Sequence, residues 1–180
     1  MTGSLELGPV AWPPTAITTE RLVLRAPEPR DRPALIELLS TPEVHTYLGG
    51  PHSRDDLERT VPETPHQRPG LFVAERDGAL IGTVELKRTK GEYRSPIGQD
   101  GDAEIGYLFL PRAWGHGYAA EACAAALDWL ATALPDEPVV LCTQTANTRS
   151  MRLARKLGFT EAERYEAWGA EQWMGIRTGR

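Results

Sequence analysis

The sequence predicts an α/β fold in which a central mixed sheet carries helices on both faces. One observation is the order strand, helix, strand across residues 104–143, which implies a crossover and parallel pairing of the two strands. The other is a pair of hairpin patterns at residues 71–86 and 159–177, which supply antiparallel strands. In such a sheet a ligand is expected where parallel strands end beside a helix N-terminus.

Length and composition predict one domain. The chain has 180 residues, of which 41% are hydrophobic, enough for a single sizeable core. We predict a flexible N-terminal arm over residues 1–18 and a single domain over residues 19–180. The arm contains three prolines, Pro9, Pro13 and Pro14, which disfavour regular structure. Val10 and Trp12 suit a contact with the body or with a neighbouring subunit, so a homodimer stays open.

Charge and hydropathy exclude several classes of protein. No apolar run approaches the ~20 residues that span a bilayer, and residues 1–14 lack the basic and apolar regions of a signal peptide. We therefore expect a cytoplasmic protein without a membrane partner. A net charge of −5 offers no basic face for nucleic acid and tolerates a cationic substrate. Cys123 and Cys142 lack histidines at ligand spacing, so we expect reduced core cysteines and no metal.

The first half of the chain begins regularly and then becomes irregular. Alternating residues predict a strand at 21–25, and an apolar stripe predicts a helix at 30–39. A cap-like Ser53 starts a helix that Pro62 and Pro65 limit to about two turns. Three histidines of this region, His45, His52 and His66, match no metal motif and are expected at the surface.

A hairpin and a long linker follow. Predicted strands 71–75 and 79–86 flank Asp77-Gly78, a strong signal for a two-residue turn. The polar linker spans residues 87–102. Its basic residues, Arg88, Lys90 and Arg94, suit a phosphate contact, with a solvated loop as the open alternative.

The second half of the chain carries the clearest pattern. An apolar and aromatic run predicts a buried central strand at 104–110, which Pro111 ends because it has no N–H to donate. An alanine- and leucine-rich helix begins at Tyr118. The remaining predicted elements are a strand at 139–143, a helix at 148–157 between its cap Asn147 and Gly158, and a hairpin with strands 159–165 and 172–177.

Two glycines join the central strand to its helix. Gly115 and Gly117 precede the helix N-terminus, where N–H groups without internal partners favour an anion such as phosphate. The pattern GxxxxGK[ST] is absent, and Ala120 stands where GxGxxG needs its third glycine, which disfavours a protein that binds nucleotide triphosphates. A tight turn without a ligand stays open at this stage.

Three segments, in order, resemble one known family. Residues 111–122, PRAWGHGYAAEA, resemble the acetyl-coenzyme A pyrophosphate signature of the GNAT superfamily, in the form used by the branch that includes the ribosomal-protein N-terminal (Rim-type) acetyltransferases. Trp114 stands in the Gln or Arg position of that signature. Residues 19–25, TERLVLR, resemble the opening strand of that branch, and Asn147, Ser150 and residues 156–159 resemble its N-x-x-S…K-x-G-F segment.

This resemblance implies a fold and a coenzyme site. In the GNAT fold the two parallel strands splay apart at a bulge, and the pantetheine arm lies along the first of them. The backbone near Phe109 and Leu110 would bind that arm, an N–H at Leu108 or Phe109 would polarise the acetyl carbonyl, and Asn147 would contact the pantetheine amide. The pyrophosphate would lie on Trp114, Gly115, His116, Gly117, Tyr118 and Ala119.

The resemblance also implies the chemistry. A base must take a proton from the acceptor amine; Glu104 is the candidate, Glu85 is the reserve, and a charged strand end is the alternative. Many family members protonate the leaving thiolate with a tyrosine, whose place Ala154 occupies here. Ser150 is the candidate replacement, with a plain helix-start serine as the alternative.

The expected acceptor is a primary amine, either a peptide N-terminus or a small cationic amine. Four carboxylates of the irregular segment, Asp55, Asp56, Glu58 and Glu63, would attract a cation, although solvating charges explain them as well. An aminoglycoside acetyltransferase and a non-catalytic acetyl-coenzyme A binding module are the other functions left open.

Overall fold

Eight strands form one mixed sheet in the computed structural model of the chain, which describes residues 7–89 and 101–178. The strands are β1 (Ile17–Thr18), β2 (Val23–Arg25), β3 (Leu71–Arg76), β4 (Ala79–Arg88), β5 (Ala103–Phe109), β6 (Val139–Gln144), β7 (Thr160–Ala167) and β8 (Ala170–Arg177). The α-helices are α1 (Arg32–Ser40), α2 (Arg54–Thr60), α3 (Tyr118–Ala133) and α4 (Thr148–Lys156).

The order across the sheet is β1-β2-β3-β4-β5-β6-β8-β7. Neighbouring strands are antiparallel except β5 and β6, which are parallel. The predicted α/β class and the predicted parallel pair are therefore confirmed. The hairpin turn at Asp77-Gly78 is confirmed too, because both residues have the positive φ, 51° and 80°, that a two-residue hairpin turn of type I′ requires.

Helices cover both faces of the sheet, as predicted. Neighbouring residues of β3 pack into different clusters: Phe72 and Ala74 lie in the core that α3 and α4 cover, and Val73 packs with Leu38 of α1. This follows from the alternation of side chains along a strand. We call the first side of the sheet the α3 face and the second the α1 face.

The N-terminal segment is part of the body from its first described residue. Leu7 is fully buried, and Ile17–Thr18 pairs with β2. The Trp12 ring makes edge contacts with Phe72 and Trp129 at centroid distances of 5.2 and 5.9 Å. Because burial of large apolar side chains outweighs the proline-rich composition, the expected flexible arm does not describe residues 7–18, and Trp12 contacts its own chain.

The expectation of surface histidines in the irregular segment is wrong for His45. This residue ends a 3₁₀ turn at Pro42–His45 and is buried, with its Nε2 3.2 Å from the Leu38 carbonyl oxygen. Burial lowers the pKa of His45 below its usual value. His52 meets its ring edge on at 5.8 Å.

Candidate functional site

The glycine turn has the geometry of an anion cradle. Gly115 and Gly117 have φ of 80° and 79°, a conformation that L side chains avoid. Gly117 is the N-cap of α3 and offers no side-chain cap. The first hydrogen bond of the helix runs from the Glu121 N–H to the Gly117 carbonyl. The N–H groups of Tyr118 and Ala119 therefore have no partner within the helix and point out of its end.

Trp114 holds this turn together. Its indole Nε1 donates to the Phe109 carbonyl at 2.7 Å, which ties the end of β5 to the start of the turn. The Arg149 guanidinium lies over the Trp114 ring, 4.6 Å from its centroid. The indole N–H is therefore already used within the protein, so a ligand at this turn would meet Arg149 and backbone amides.

Arg149 is a functional candidate that the sequence analysis missed. It is exposed on the first turn of α4, and the described residues show no ion pair to it. The only signal in the sequence is its place beside Ser150 in the N-x-x-S segment, which does not reveal a contact with Trp114.

The basic residues of the 87–102 linker were the sequence candidates for a phosphate contact. Arg88 binds Glu137 and the Leu7 and Gly101 carbonyls, so its guanidinium is used within the protein. Lys90 and Arg94 lie outside the described residues.

Two of the three sequence segments meet at Glu121. Its Oε1 accepts hydrogen bonds from Thr19 Oγ1 at 2.6 Å and from the Arg21 N–H at 2.8 Å, and its Oε2 accepts from Arg21 Nε at 2.7 Å. Arg21 also donates to the His116 carbonyl. Burial alone would raise the pKa of Glu121, but these hydrogen bonds and the guanidinium lower it overall. The turn between β1 and β2 thus supports the glycine turn.

The Tyr118 ring packs against Arg21, the residue that binds Glu121. The buried ring lies under the guanidinium groups of Arg21 and Arg76, at 4.7 and 5.0 Å from the centroid. The exposed His116 ring stacks beside it at 5.4 Å. The phenol ring is therefore committed to packing, and the backbone N–H is what Tyr118 can offer to a ligand.

The parallel strands part soon after they pair. β5 and β6 share only two pairs, Ala103 with Val139 and Glu104 with Val140, although β5 continues to Phe109. On its other side β5 keeps an unbroken register of seven pairs with β4. The splay is thus present, but no bulge interrupts the register of β5 with β4.

Backbone alternation decides which groups face the opening. Leu110 N–H donates to the Ile81 carbonyl at 2.9 Å, so residues in phase with it, including Leu108, direct their backbone groups towards β4. Tyr107 and Phe109 direct theirs away from β4, into the opening. The expectation of free backbone groups at Leu110 and Leu108 is therefore wrong. The Trp114 indole already binds the Phe109 carbonyl. The backbone groups left to bind a ligand in the opening are therefore the Phe109 N–H and the N–H and carbonyl of Tyr107.

A tyrosine and a serine face each other across this opening. The Tyr107 hydroxyl donates to Ser150 Oγ at 2.7 Å, which joins β5 to the first turn of α4. Ser150 is buried, and its N–H donates to Asn147 Oδ1 at 3.2 Å, so Asn147 caps α4 as predicted. Burial raises the pKa of Tyr107 well above its usual range, and the hydrogen bond to Ser150 offsets part of that rise. The sequence analysis assigned Tyr107 to the core and missed this contact.

The two carboxylates proposed as bases lie on the other face. Glu104 lies three residues before Tyr107 on β5, so its side chain is on the α1 face, opposite the Tyr107–Ser150 pair. Glu104 also contributes to the raised pKa of Tyr165, whose main cause is burial. Glu85 is on the α1 face as well, but it forms an ion pair with Arg68. The carboxylate of Glu85, the reserve candidate, is therefore fixed in an ion pair with Arg68.

Two of the four acidic residues singled out in the irregular segment form ion pairs. Asp56 binds Arg59, and Glu58 binds Arg32 and Arg54. These contacts neutralise half of the carboxylate set that was expected to attract a cation, because an ion pair presents little net charge to a distant ligand.

Residues 7–89 and 101–178 show neither a membrane-spanning helix nor a metal-binding cluster. None of the helices there combines the length and apolar character that crossing a bilayer requires. The same residues contain no cluster of three or more His, Cys, Asp or Glu side chains suited to a metal ion. Cys123 is buried in α3, which raises the pKa of its thiol, and Cys142 is half-buried in β6, so only the first is a full core residue.

Comparisons with known proteins agree with this geometry. The family model described as an acetyltransferase (GNAT) domain matches residues 21–160. The Bacillus subtilis protein YkkB is 30% identical over 86% of this chain and 90% of its own length. The N-acetyltransferase p20 of Bacillus licheniformis is 31% identical over 78% of this chain and 80% of its own.

Solved structures share the fold. A GNAT-family acetyltransferase from Bacillus anthracis superposes with a TM-score of 0.74 at 22% identity, covering 91% of this chain and 98% of that one. The aminoglycoside acetyltransferase AAC(6')-Ib, in complex with coenzyme A, gives 0.67 at 18% identity over 87% and 94% of the two chains.

Proposed function

The chain belongs to the GNAT acetyltransferase family, and on that premise we propose that it moves the acetyl group of acetyl-coenzyme A onto the α-amine of a protein or peptide N-terminus. Its activity class is that of an acetyl-coenzyme A-dependent N-acetyltransferase. The acceptor, the site residues and membership of the Rim-type branch are parts of the proposal.

The splayed strands beside the open N-terminus of α3 are the observation that carries this proposal. The N–H groups of residues 115–119 would hold the pyrophosphate, since glycines at positive φ leave the amides bare. The pantetheine arm would enter the opening along β5, and its amide would meet Asn147, whose Nδ2 is left free to donate when Oδ1 caps α4. The Phe109 N–H would polarise the acetyl carbonyl.

Direct attack suits a site with two faces. The coenzyme would occupy the opening from the α3 face, and the amine would approach from the α1 face, where Glu104 lies. The amine nitrogen forms a bond to the thioester carbon, the carbon–sulfur bond breaks, and the sulfur keeps the electron pair. Glu104 takes the proton that the amine loses, directly or through water, and Ser150 stabilises the departing thiolate by donating a hydrogen bond.

An N-terminal α-amine is the easiest acceptor for these residues. Its pKa is about 8, against about 10.4 for a lysine side chain, so a larger fraction is neutral at pH 7 and a weak base is sufficient. The N-x-x-S segment and the P-x-x-W-G-x-G-Y-A-x-E-A segment support this choice through their similarity to the Rim-type branch. The paired carboxylates of residues 54–60 favour selection by shape and hydrogen bonding over long-range attraction.

The test is acetyl transfer to peptides that differ only in a free or blocked N-terminus. Each peptide also contains one internal lysine, and mass spectrometry locates the label. We expect label on the free α-amine and none on the blocked peptide. Label on lysine alone would contradict the proposal.

A small cationic amine is the second candidate. It has support because solved structures with this fold include an aminoglycoside acetyltransferase in complex with paromomycin and acetyl-coenzyme A. Adding ribostamycin and a polyamine to the same assay separates the two acceptors. If free thiol is released but none of these acceptors is acetylated, neither candidate acceptor is supported. If no thiol is released, the non-catalytic binding module is favoured.

A further inference from the structure

We propose that Tyr107 is a positioning residue that fixes the direction of the Ser150 hydroxyl, so that the one proton of Ser150 points at the coenzyme sulfur. This inference rests on the proposed function, because the sulfur is that of bound coenzyme A. It concerns the departure of the thiolate, whereas Glu104 concerns the amine.

The hydrogen bond across the opening limits what Ser150 can do. A serine hydroxyl has one proton and two lone pairs. Tyr107 donates to one lone pair at 2.7 Å, and apart from the Tyr107 oxygen the described residues show no hydrogen-bond acceptor for the Ser150 proton. That proton is available to a ligand atom in the opening between β5 and β6.

Burial keeps Tyr107 able to donate this bond. Tyr107 belongs to the core under α3, and burial raises the pKa of its hydroxyl. The phenol therefore stays protonated through neutral and alkaline pH and keeps a proton to donate to Ser150. If Ser150 were instead free to rotate, it would use part of its time donating to the phenol oxygen, and the thiolate would lose its donor.

The position of the pair matches the path of the thiol. Tyr107 is the third residue beyond the last β5–β6 pair at Glu104, and Ser150 lies in the first turn of α4 beyond β6. The hydrogen bond therefore joins β5 to the helix that follows β6, beside the point where the two strands separate and where a pantetheine arm would bring its sulfur. No proton is consumed in this step: Ser150 lends a hydrogen bond to the developing thiolate, which later takes its proton from solvent.

A titration of bound coenzyme A tests this inference without an acceptor. The ultraviolet absorbance of the coenzyme thiolate is followed against pH, with bound desulfo-coenzyme A as the blank for protein tyrosines and cysteines. In the unaltered protein we expect a thiol pKa below that of free coenzyme A. Tyr107→Phe and Ser150→Ala should each raise it by about one unit, a tenfold loss of thiolate at a given pH.

Three further measurements complete the design. The double variant Tyr107→Phe with Ser150→Ala should raise the pKa no further than Ser150→Ala alone, because Tyr107 acts through Ser150. Ser150→Thr, which keeps the hydroxyl, should preserve the low pKa. Tyr165→Phe is the matched control: it removes another tyrosine of raised pKa, on β7, and should leave the thiol unchanged.

The outcomes separate this inference from the proposed function. An unchanged thiol pKa in Tyr107→Phe, with coenzyme A bound and the variant folded, would overturn the positioning role even if peptides are acetylated. A raised thiol pKa in both single variants would support it even if no peptide is acetylated. Additive effects in the double variant would also overturn it, since two independent roles add.

Discussion

The two faces of β5 are built in different ways. On the α3 face, backbone groups and short-range contacts make the candidate coenzyme site: two glycines at positive φ, the first turn of α3, and a hydrogen bond from Trp114 to Phe109. On the α1 face, side chains from separate segments make the candidate acceptor site: Glu104 and an irregular region that contains a 3₁₀ turn.

This difference has a functional meaning. A phosphate and an extended amide arm are the same in every acetyl-coenzyme A molecule, and backbone N–H groups suffice to bind them. Acceptors differ in shape and charge, so only side chains can discriminate among them. The α3 face should therefore be sensitive to backbone changes, and the α1 face to side-chain changes.

The strongest test of the α3 face is Gly117→Val. A side chain at Gly117 would enter the space proposed for the pyrophosphate, with its Cβ in ordinary contact with Arg21 Nη2 at 3.5 Å, and would be strained at a φ of 79°. Acetyl-coenzyme A at a hundredfold excess over its Kd should raise the unfolding free energy of the unaltered protein by about 2.7 kcal/mol. We expect Gly117→Val to lose that increment, measured by thermal denaturation with and without ligand.

Gly158→Val is the matched control. Gly158 has a φ of 84°, follows α4, and a Cβ there would meet no atom within 4 Å. It should lower the baseline stability through backbone strain and keep the increment from the ligand. A full increment in a folded Gly117→Val protein would contradict the assignment of the glycine turn.

The corresponding test of the α1 face is Glu104→Gln. Glutamine is nearly isosteric but takes no proton, so kcat with a peptide acceptor should fall by about 10²-fold at pH 7. The rate should recover as pH rises through about 8, because the α-amine then loses its proton unaided. The stabilisation by acetyl-coenzyme A should not change.

Glu85→Gln provides the comparison for that experiment. Because Arg68 already binds Glu85, we expect kcat to stay within a few-fold of the unaltered protein. If Glu85→Gln instead showed the large loss and the pH recovery, the base would be Glu85, and Glu104 would be a charged strand end.

The sequence separation of two contacting residues decides whether their contact could be predicted. The Asp77-Gly78 turn, the Asn147 cap and the glycine turn depend on neighbours in the chain, and their residue types follow from local backbone conformation. Tyr107 and Ser150 are 43 residues apart, and Arg21 and Glu121 are 100 apart. The sequence segments contain these residues, but only the fold pairs them.

The pairing of Glu121 with Thr19 and Arg21 has a measurable effect on stability. Glu121→Gln should lower the unfolding free energy at pH 7 by about 1–2 kcal/mol, because hydrogen bonds to a carboxylate are stronger than those to an amide, with a discount for the half-exposed Arg21. The pKa of Glu121 is lowered in the folded state, so its contribution is present above about pH 4.5, its ordinary value, and is lost as pH falls below that.

Urea denaturation at a series of pH values checks this prediction. The difference between Glu121→Gln and the unaltered protein should shrink as pH falls from about 5 towards 3. Thr132→Val, at an exposed site late in α3, is a control for general effects on the helix. A difference that does not depend on pH would mean that the ionised state of Glu121 is not the source of its contribution.

The smallest expected effect concerns Arg149, the exposed cation above Trp114. Since the described residues show no carboxylate that neutralises it, and it lies beside the glycine turn, it is placed to meet a phosphate of the coenzyme. Arg149→Ala should weaken coenzyme A binding about three- to fivefold at low salt, and less at high salt, because exposed charge pairs contribute up to about 1 kcal/mol and are screened.

Calorimetry with coenzyme A and with dephospho-coenzyme A identifies the phosphate that Arg149 meets. An equal loss of affinity for both ligands places Arg149 at the pyrophosphate, and a loss for coenzyme A alone places it at the 3′-phosphate. Arg112→Ala, whose guanidinium pairs with Glu37 of α1, is the control for net charge. If Arg112→Ala weakened binding as much as Arg149→Ala does, the effect would come from overall charge, and the α3 face would bind its anion through the backbone alone.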